Sequence, residues 1–571
     1  MKNKFLKTLI CITIVIGMSA CDKAFLDNAA RGVLDEQTLA TEKGVNKLLL
    51  AAYAMLDGHD GALNLGGEWG SGGSNFLYGD IGGGLANKGS DPGDQGPNMT
   101  PVQRHDITSN NGATNDRWKA IYEGVKRANT VLQVLEKATA VDANARKNLS
   151  GQARFLRAWY HFHARILFGK VPYLDEKIDA DLSSGAIAGV ANDVDIYPKI
   201  VEDAKFAWDN LPVSQSAIGL ANKWAAGAFY GKVLLFTKDF ATAKTVLTDV
   251  VANGKNSLGV AYDLNTNYYD NFNVATDNSK ESVFAFQASS QDNAGARNGN
   301  WGDLLNTPSA TGGGGAGFFC PTYFFANQFK TTAAGLPDPA PNNTVVYDPF
   351  AQAGLTKYAG NVDPRLDWTI GRDNVPFHDW GTYLTSWPRD RSAGPYAGKK
   401  IMIRQDQVAS THDASIWFVG GGTALNMNLI RFADVLLWAA EAEIEVGSLT
   451  TAFNLINRVR TRAAGTTKVV IAPTEGVALA AAYPTVFTTQ AQARTAVRLE
   501  RLLELGMEGH RFFDLVRWGI AATELNAYYT YESAMPYQIL LNPKPVYASP
   551  ANDYYPIPQQ QIDLSKGFIK P

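Results

Sequence analysis

Apolar residues recur at helical spacing in several stretches of the chain. Beyond Thr41, a predicted N-cap with Glu42 in the first turn, Val45, Leu48, Leu49, Ala52, Tyr53 and Leu56 share one face up to Gly58. Trp118, Ile121, Tyr122, Val125, Leu132 and Leu135 form a second stripe. Phe155, Leu156, Trp159, Tyr160 and Phe162 form a third, which stops before Gly169 and Pro172, and Ile196, Ile200, Val201, Ala204 and Trp208 form a fourth, closed by Pro212. Two later patterns come in pairs: residues 221–237 and 240–251 flank Lys238-Asp239, and residues 428–446 and 449–462 flank Gly447-Ser448. A connection that short forces consecutive helices to pack antiparallel, so both pairs predict helical hairpins of tetratricopeptide-like length. The usual signature and a constant period of that repeat are not legible. A further helix is predicted over residues 491–518, with Gly506 or Gly509 as the place for a break. Residues 254–422 carry no long helical pattern and are rich in Gly, Pro, Asn, Asp and aromatics. With the Gly-rich residues 66–96 they predict the irregular, elaborated face of a mostly α scaffold.

The first residues are of a different kind. Lys2, Lys4 and Lys7 precede an apolar stretch from Leu9 to Ile16, and Ser19-Ala20 supplies small residues before Cys21. That pattern predicts a signal peptide over residues 1–20. Small residues directly before a cysteine resemble a bacterial lipobox, which implies lipidation of Cys21 and makes it the first residue of the mature chain. The apolar run is too short to cross a bilayer. Residues 21–41 are then a lipidated tether, and residues 42–571 a single domain that includes the loop-rich residues 254–422. Cys11, Cys21 and Cys320 are the only cysteines, so an acylated Cys21 leaves Cys320 with no intrachain disulfide partner. A net charge of −3 supplies no electrostatic footprint for nucleic acid.

The run Glu500-Arg-Leu-Leu-Glu-Leu-Gly-Met-Glu-Gly-His-Arg-Phe-Phe-Asp-Leu-Val-Arg-Trp-Gly519, followed by Tyr554-Tyr-Pro-Ile-Pro558, resembles the signature of the SusD/RagB family of outer-membrane nutrient-binding lipoproteins. Gly151-Gln-Ala-Arg-Phe-Leu-Arg-Ala-Trp-Tyr-His161, Asp363-Pro-Arg-Leu366, Arg431-Phe-Ala-Asp434 and Asn457-Arg-Val-Arg460 are similar to other segments of it, in the expected order. The resemblance implies a tetratricopeptide-bearing helical protein, anchored in the outer membrane through its N-terminal lipid and facing the cell exterior. It also implies capture of an oligosaccharide and delivery to a SusC-like TonB-dependent barrel transporter, over which the protein sits as a lid, without cleavage of the ligand. The family often ends in a longer Asn- and Gln-containing tail than residues 567–571 provide, and Gln152 stands where an acid is common.

A saccharide has apolar C–H faces and a hydroxyl rim, so its site needs flat aromatic platforms beside amide, carboxylate or guanidinium groups. Trp69, Asn75, Phe76, Tyr78 and Asp80 lie in the first Gly-rich loop, and Trp301, Asn306, Phe318, Phe319 and Tyr323 in the second region. Trp368, Trp380, Tyr383, Trp387 and Arg389 form a third cluster. The family's contacts tend to come from the first two regions, which puts Trp69, Tyr78, Trp301 and Tyr323 first, with Asn75, Phe319 and Trp380 behind them. For each aromatic the competing reading is loop core.

Glu500, Glu504 and Glu508, and the alternating Glu508, Arg511, Asp514 and Arg517, read as an ion-pair ladder on one helix face and not as catalytic carboxylates. No catalytic residue, metal ligand or cofactor is assigned, and nothing resembles a glycosidase motif. His161 and His163 fall on different helix faces and read as packed or solvated. Gly312 to Gly317 fits a dinucleotide-binding spacing without the strand and helix that motif requires. A structural calcium in Asp-rich loops around Asp91 and Asp94 stays open, although no EF-hand pattern is present. Two other functions also stay open: a lipid-anchored glycoside hydrolase, and a tetratricopeptide scaffold that binds no glycan.

Overall fold

The computed structural model describes residues 39–59, 70–177, 189–295, 297–309, 315–343, 358–413, 415 and 422–571. The leader, Cys21, most of the tether and Trp69 lie outside these residues. Helix α1 (Glu42–Ala54) starts at its expected cap, where the Thr41 side chain accepts from the Gly44 amide at 3.1 Å. Helices α2 (Gly96–Arg104), α3 (Gly112–Lys137), α4 (Ala143–Phe168), α5 (Tyr197–Asn210), α6 (Lys223–Phe236) and α7 (Phe240–Asn253) follow. After the loop-rich region come α8 (Phe432–Val446), α9 (Leu449–Gly465), α10 (Gln490–Leu505), α11 (Arg511–Arg517) and α12 (Ala521–Glu532). From α3 to α7 each helix packs on the next, α7 packs on α8, and α8 packs on α9 and α10. The protein is thus mostly helical, and the stack of hairpins fits a tetratricopeptide-like scaffold. One buried apolar cluster runs from Val45 to Ile569.

Short strands β1 (Ala86–Gly89), β2 (Ser282–Phe286), β3 (Phe318–Pro321) and β4 (Met427–Arg431) form two antiparallel pairs. β1 pairs with β3 in the register Ala86↔Pro321 and Gly89↔Phe318. β2 pairs with β4 as Ser282↔Arg431 and Phe286↔Met427. The second pair corrects an expectation, because α8 begins at Phe432 and not at residue 428. The run before it also has strand character, and the sequence-distant partner β2 decides between the two periodicities. The predicted break in the helix of residues 491–518 is real. A Cβ on Gly506 would lie 2.3 Å from the Phe325 ring, and one on Gly509, at φ +78°, would lie 1.9 Å from the Ser74 carbonyl.

Between α7 and α8 the longest described helix is the five-residue Tyr323–Asn327. So much irregular backbone leaves carbonyls without ladder partners, and buried lysines supply donors in their place. Lys88 Nζ donates to the carbonyls of Gly89, Asp91 and Asp94 at 2.9, 2.7 and 2.7 Å. Lys399 donates to Asp367 and Pro376 at 2.6 and 2.8 Å, and Lys400 to Glu504 and Gly506 at 3.1 and 2.7 Å. Burial draws the ammonium groups down, to about 8 for Lys88 and Lys400 and about 7 for Lys399.

The loop region is joined to the helices by a buried ion network. Arg365, fully buried, bonds Asp363 at 2.8 Å, Glu500 at 2.7 Å and Glu504 at 2.9 Å. Arg431 bonds Glu281, Glu504 and Glu508 at 2.6, 3.1 and 2.7 Å. Arg462 meets Glu281 at 2.8 Å and also Glu504, Arg460 meets Glu500 at 3.0 Å, and Lys400 meets Glu508 at 2.7 Å. The predicted ladder is therefore an ion-pair structure, but Glu500, Glu504 and Glu508 pair across elements. Only Arg517 with Asp514, at 2.8 Å, pairs along the helix as expected. Burial alone would raise Glu508, yet Arg431 and Lys400 outweigh it and hold the carboxylate at about 2; Glu504 is held low by Arg462, Arg431 and Arg365 in the same way. Elsewhere, Asp80 in the turn Phe76–Ile81 is fully buried and accepts the Gly509 amide at 2.6 Å. Burial pushes its carboxyl up to about 7.

Glu504→Gln leaves three buried guanidinium groups short of charge, and should cost about 3–5 kcal/mol of stability in urea titrations. In wild type the contribution of Glu508 is present above the ordinary carboxylate range and is lost as pH falls toward 2. Asp80 acts with the opposite sign. The folded state keeps its proton between pH 3.8 and about 7 while the unfolded chain has released it, so its stabilisation is lost as pH rises across that window. Calorimetric Tm values should show a shallower decline over that range in Asp80→Asn than in wild type.

Candidate functional site

A cleft of about 630 Å³ opens beside α1. Asn46, Leu49, Leu50 and Tyr53 of α1 form one wall, and residues 216–220, the end of β2 and residues 289, 297 and 298 form the other. Leu50 is 58% exposed, an apolar side chain that α1 turns toward this opening. At the end of α1 the turn Met55–Asp57 leads to Gly58, whose φ of +84° suits a residue without a Cβ. A Cβ there would sit 1.8 Å from the Ser71 carbonyl, and one on Gly73 would sit 2.0 Å from the Leu56 carbonyl. These glycines let the first Gly-rich loop close against α1. Gly302 in turn packs on Gly72, which brings the second loop region to the same place.

His59 and Trp301 meet at this junction. Their rings stack with centroids 4.9 Å apart and planes 21° apart. The Asp57 carboxylate accepts the His59 amide at 2.8 Å, and the Asp57 carbonyl accepts the Gly73 amide at 2.8 Å. Below Trp301, the buried Asp303 carboxylate accepts from Ser74 Oγ at 2.9 Å and from Asn306 Nδ2 at 3.2 Å, and burial raises it above the ordinary range. Arg117 clamps the first loop, donating to the Ser71 carbonyl and to Asn75 Oδ1, both at 2.5 Å. The result is a half-buried aromatic pair whose His59 member lines the cleft, together with the polar Asn46, Gln287, Ser289, Arg297 and Asn298. Among the described residues, Asp57 is the only carboxylate in that lining, and it is buried.

Of the sequence candidates, Trp301 reaches this junction. Asn75 is buried at φ +55°, with its side chain engaged by Arg117. Tyr78 is buried, donates to the Gly70 carbonyl at 2.9 Å and packs edge-on against Tyr555. Phe319 is buried against Phe76, and Tyr323 is fully buried against Tyr396. Trp380 is half-buried on a small core of Phe377, Tyr383, Trp387 and Met402, and its Nε1 donates to the Ile403 carbonyl at 2.9 Å. Trp368 stacks on Tyr269 at 5.0 Å. Asn75, Tyr78, Phe319 and Tyr323 are thus packing residues in this structure, for a common reason. Close glycine approaches, such as Gly79 against the Gly509 carbonyl, draw the Gly-rich loops into the core, and an aromatic on such a loop is drawn in with it. His59 was not among the expected residues. The one available signal was its position directly after the Gly58 that ends α1.

His161 and His163 are packed: His161 Nδ1 lies 3.1 Å from the Arg157 carbonyl while its Nε2 accepts the Leu174 amide at 3.1 Å, and burial lowers its pKa to about 3. In the loop around Asp91 and Asp94, the Lys88 ammonium already occupies three backbone carbonyls. Among the described residues, no three His, Cys, Asp or Glu side chains are grouped to hold a metal ion. No described helix is long and apolar enough to cross a membrane.

Residues 280–570 match the SusD family model, and residues 94–235 match a model described as starch-binding, associating with the outer membrane. A SusD-like protein of Formosa agariphila is 23% identical over 537 residues, covering 90% of either chain. One of Bacteroides ovatus is 24% identical, covering 90% of this chain and 82% of its own. Among solved structures, surface glycan-binding protein A from Bacteroides thetaiotaomicron, in complex with laminarihexaose, superposes with a TM-score of 0.65 at 21% identity, covering 93% of this chain and 99% of that one. A SusD-like carbohydrate-binding protein from Bacteroides fragilis gives 0.67 at 21% identity, with the same coverage. These likenesses establish the fold, and with the family match over residues 280–570 they place the chain: it belongs to the SusD family.

Proposed function

We propose that this protein is a glycan-binding lipoprotein of the outer-membrane surface. In this reading it captures an oligosaccharide in the cleft beside α1 and passes it to a SusC-like TonB-dependent barrel transporter, for which it serves as the lid. The His59 ring in the cleft lining, stacked on Trp301, carries this reading. A flat ring held in place by a second ring offers a sugar's C–H face a platform that loses little freedom on binding. The exposed guanidinium of Arg297 stands where hydroxyl groups would need a partner, and the Asn46 and Asn298 amide groups, which donate to Glu42 and Asp292, keep their oxygens as acceptors. Similar folds that bind laminarin and laminarihexaose support the ligand class.

Binding without cleavage fits the lining. Glycoside hydrolysis uses two carboxyl groups facing each other across the bond at about 5–9.5 Å. Among the described residues, Asp57 supplies the only carboxylate in this lining, and it accepts the His59 amide. Residues 42–571 serve as the binding body, and residues 21–41, lipidated at Cys21, as the tether that lets it swing.

Calorimetry with laminarihexaose, extended to an array of glycans, should find a ligand whose affinity falls tenfold or more in Trp301→Ala, about 1.4 kcal/mol. His59→Ala should weaken binding less, and Trp380→Ala should leave it unchanged. Absence of binding across the array, unchanged affinity in Trp301→Ala, or release of reducing ends by the pure protein would overturn the reading. Fractionation of cells carrying Cys21→Ala should find the protein released from the membrane with its melting temperature intact; retention on the membrane would contradict the anchor.

A further inference from the structure

A second cleft, of about 650 Å³, lies at the other end of α4. Gln152, midway along α4, bonds Tyr53 of the first cleft at 2.9 Å, whereas Arg165 in the last turn lines the second. Thirteen residues of α-helix separate them, about 20 Å. The floor is apolar, from Ile166, Val201 and Phe513. Arg165 lies between two tyrosine rings, 4.5 Å from the Tyr197 centroid and 5.3 Å from that of Tyr554. Asp195 fixes it from one side at 3.0 Å, while Nη1 makes no hydrogen bond among the described residues. Two aromatic walls are therefore held rigid by one cation, and Tyr554 is still 39% exposed.

Arg165, Lys238 and Arg517 supply three cations to the lining of this cleft, against the two carboxylates of Asp195 and Asp553. Asp195 is held by Arg165, and Asp553 accepts the hydroxyls of Tyr547 and Ser549 at 2.9 and 2.8 Å. Arg517 is held by Asp514 at 2.8 Å and by Glu441. Lys238 remains. It is exposed at the tight turn between α6 and α7, at φ +62°, and its ammonium has no partner among the described residues. A ligand suited to this cleft has a ring to lie on Tyr554 and an anionic group for Lys238.

We infer that this cleft is a second binding site, for an acidic saccharide bearing carboxylate or sulfate groups, distinct from the Trp301 cleft. Its recognition is part stacking and part charge, so affinity falls as salt screens the ammonium. The two clefts are walled by different residues, which lets each be removed alone.

The test is calorimetry of the full mature protein with tetragalacturonate and, in a second arm, a sulfated galactan tetrasaccharide. At least one should bind, tenfold or more weaker in Lys238→Glu and in Tyr554→Ala, and unchanged in Trp301→Ala. A neutral tetrasaccharide and a tetraglutamate peptide should each bind this cleft at least tenfold more weakly, the first lacking charge and the second lacking a ring. No heat from either acidic sugar at millimolar concentration overturns the proposal. So does binding that survives Lys238→Glu and Tyr554→Ala, or that disappears with Trp301→Ala. Lys238 is exposed and outside the core, so Lys238→Glu folds, and its failure to bind reads on the site alone.

Discussion

The architecture depends on a buried, charge-balanced ion network. Asp363, Glu281, Glu500, Glu504 and Glu508 meet Arg365, Arg431, Arg460, Arg462 and Lys400, with Arg365, Glu500 and Glu504 wholly withdrawn from solvent. Five acids balance five bases. A single charge in such a place costs several kcal/mol, and removing one partner leaves the rest uncompensated, so these groups are tolerable only together. They arrive from α9, α10, β4, the edge of β2 and three loops, and their convergence fixes a loop region with little secondary structure of its own against the helical stack. Lysine ammonium groups extend the same logic to the backbone, filling carbonyl nests that a sheet would have satisfied.

This network also explains which parts of the molecule were legible from its residues. The motifs at 363–366, 431–434, 457–460 and 500–508 that signal the SusD family are largely the members of this network. They identify the scaffold strongly and say nothing of the ligand. The helices were legible because their apolar stripes face a core, as Val45, Leu49 and Ala52 do in α1. Strand β4 was not, because its partner β2 is remote in sequence and a short apolar run satisfies either period.

The site was harder to read for a physical reason. Composition places an aromatic on a Gly-rich loop but not on the outside of it, and glycine is the residue that lets a loop sink. Tyr78 and Tyr323 sank; Trp301 stopped half-way, supported by His59. Tyr78 finds the Gly70 carbonyl and Tyr555, Tyr323 finds the Tyr396 ring, and Trp301 finds the ring of His59. Such contacts join segments far apart in the chain, where no local pattern records them.

In an interior where charges come in matched sets, an unmatched group at a cleft has meaning. Arg117, Arg365 and Arg431 are each committed to loop carbonyls or carboxylates and have nothing left for a ligand. Arg297 and Lys238 stand exposed at two clefts without a side-chain partner among the described residues, beside aromatic rings already fixed by their neighbours. Rings that are stacked before a ligand arrives have already lost their rotamer freedom, so a saccharide that lies on them gives up mainly its own. The helix α4 between the clefts is a rigid spacer, buried along most of its length. In the proposed reading, ligand capture and scaffold stability are thereby divided between different residues.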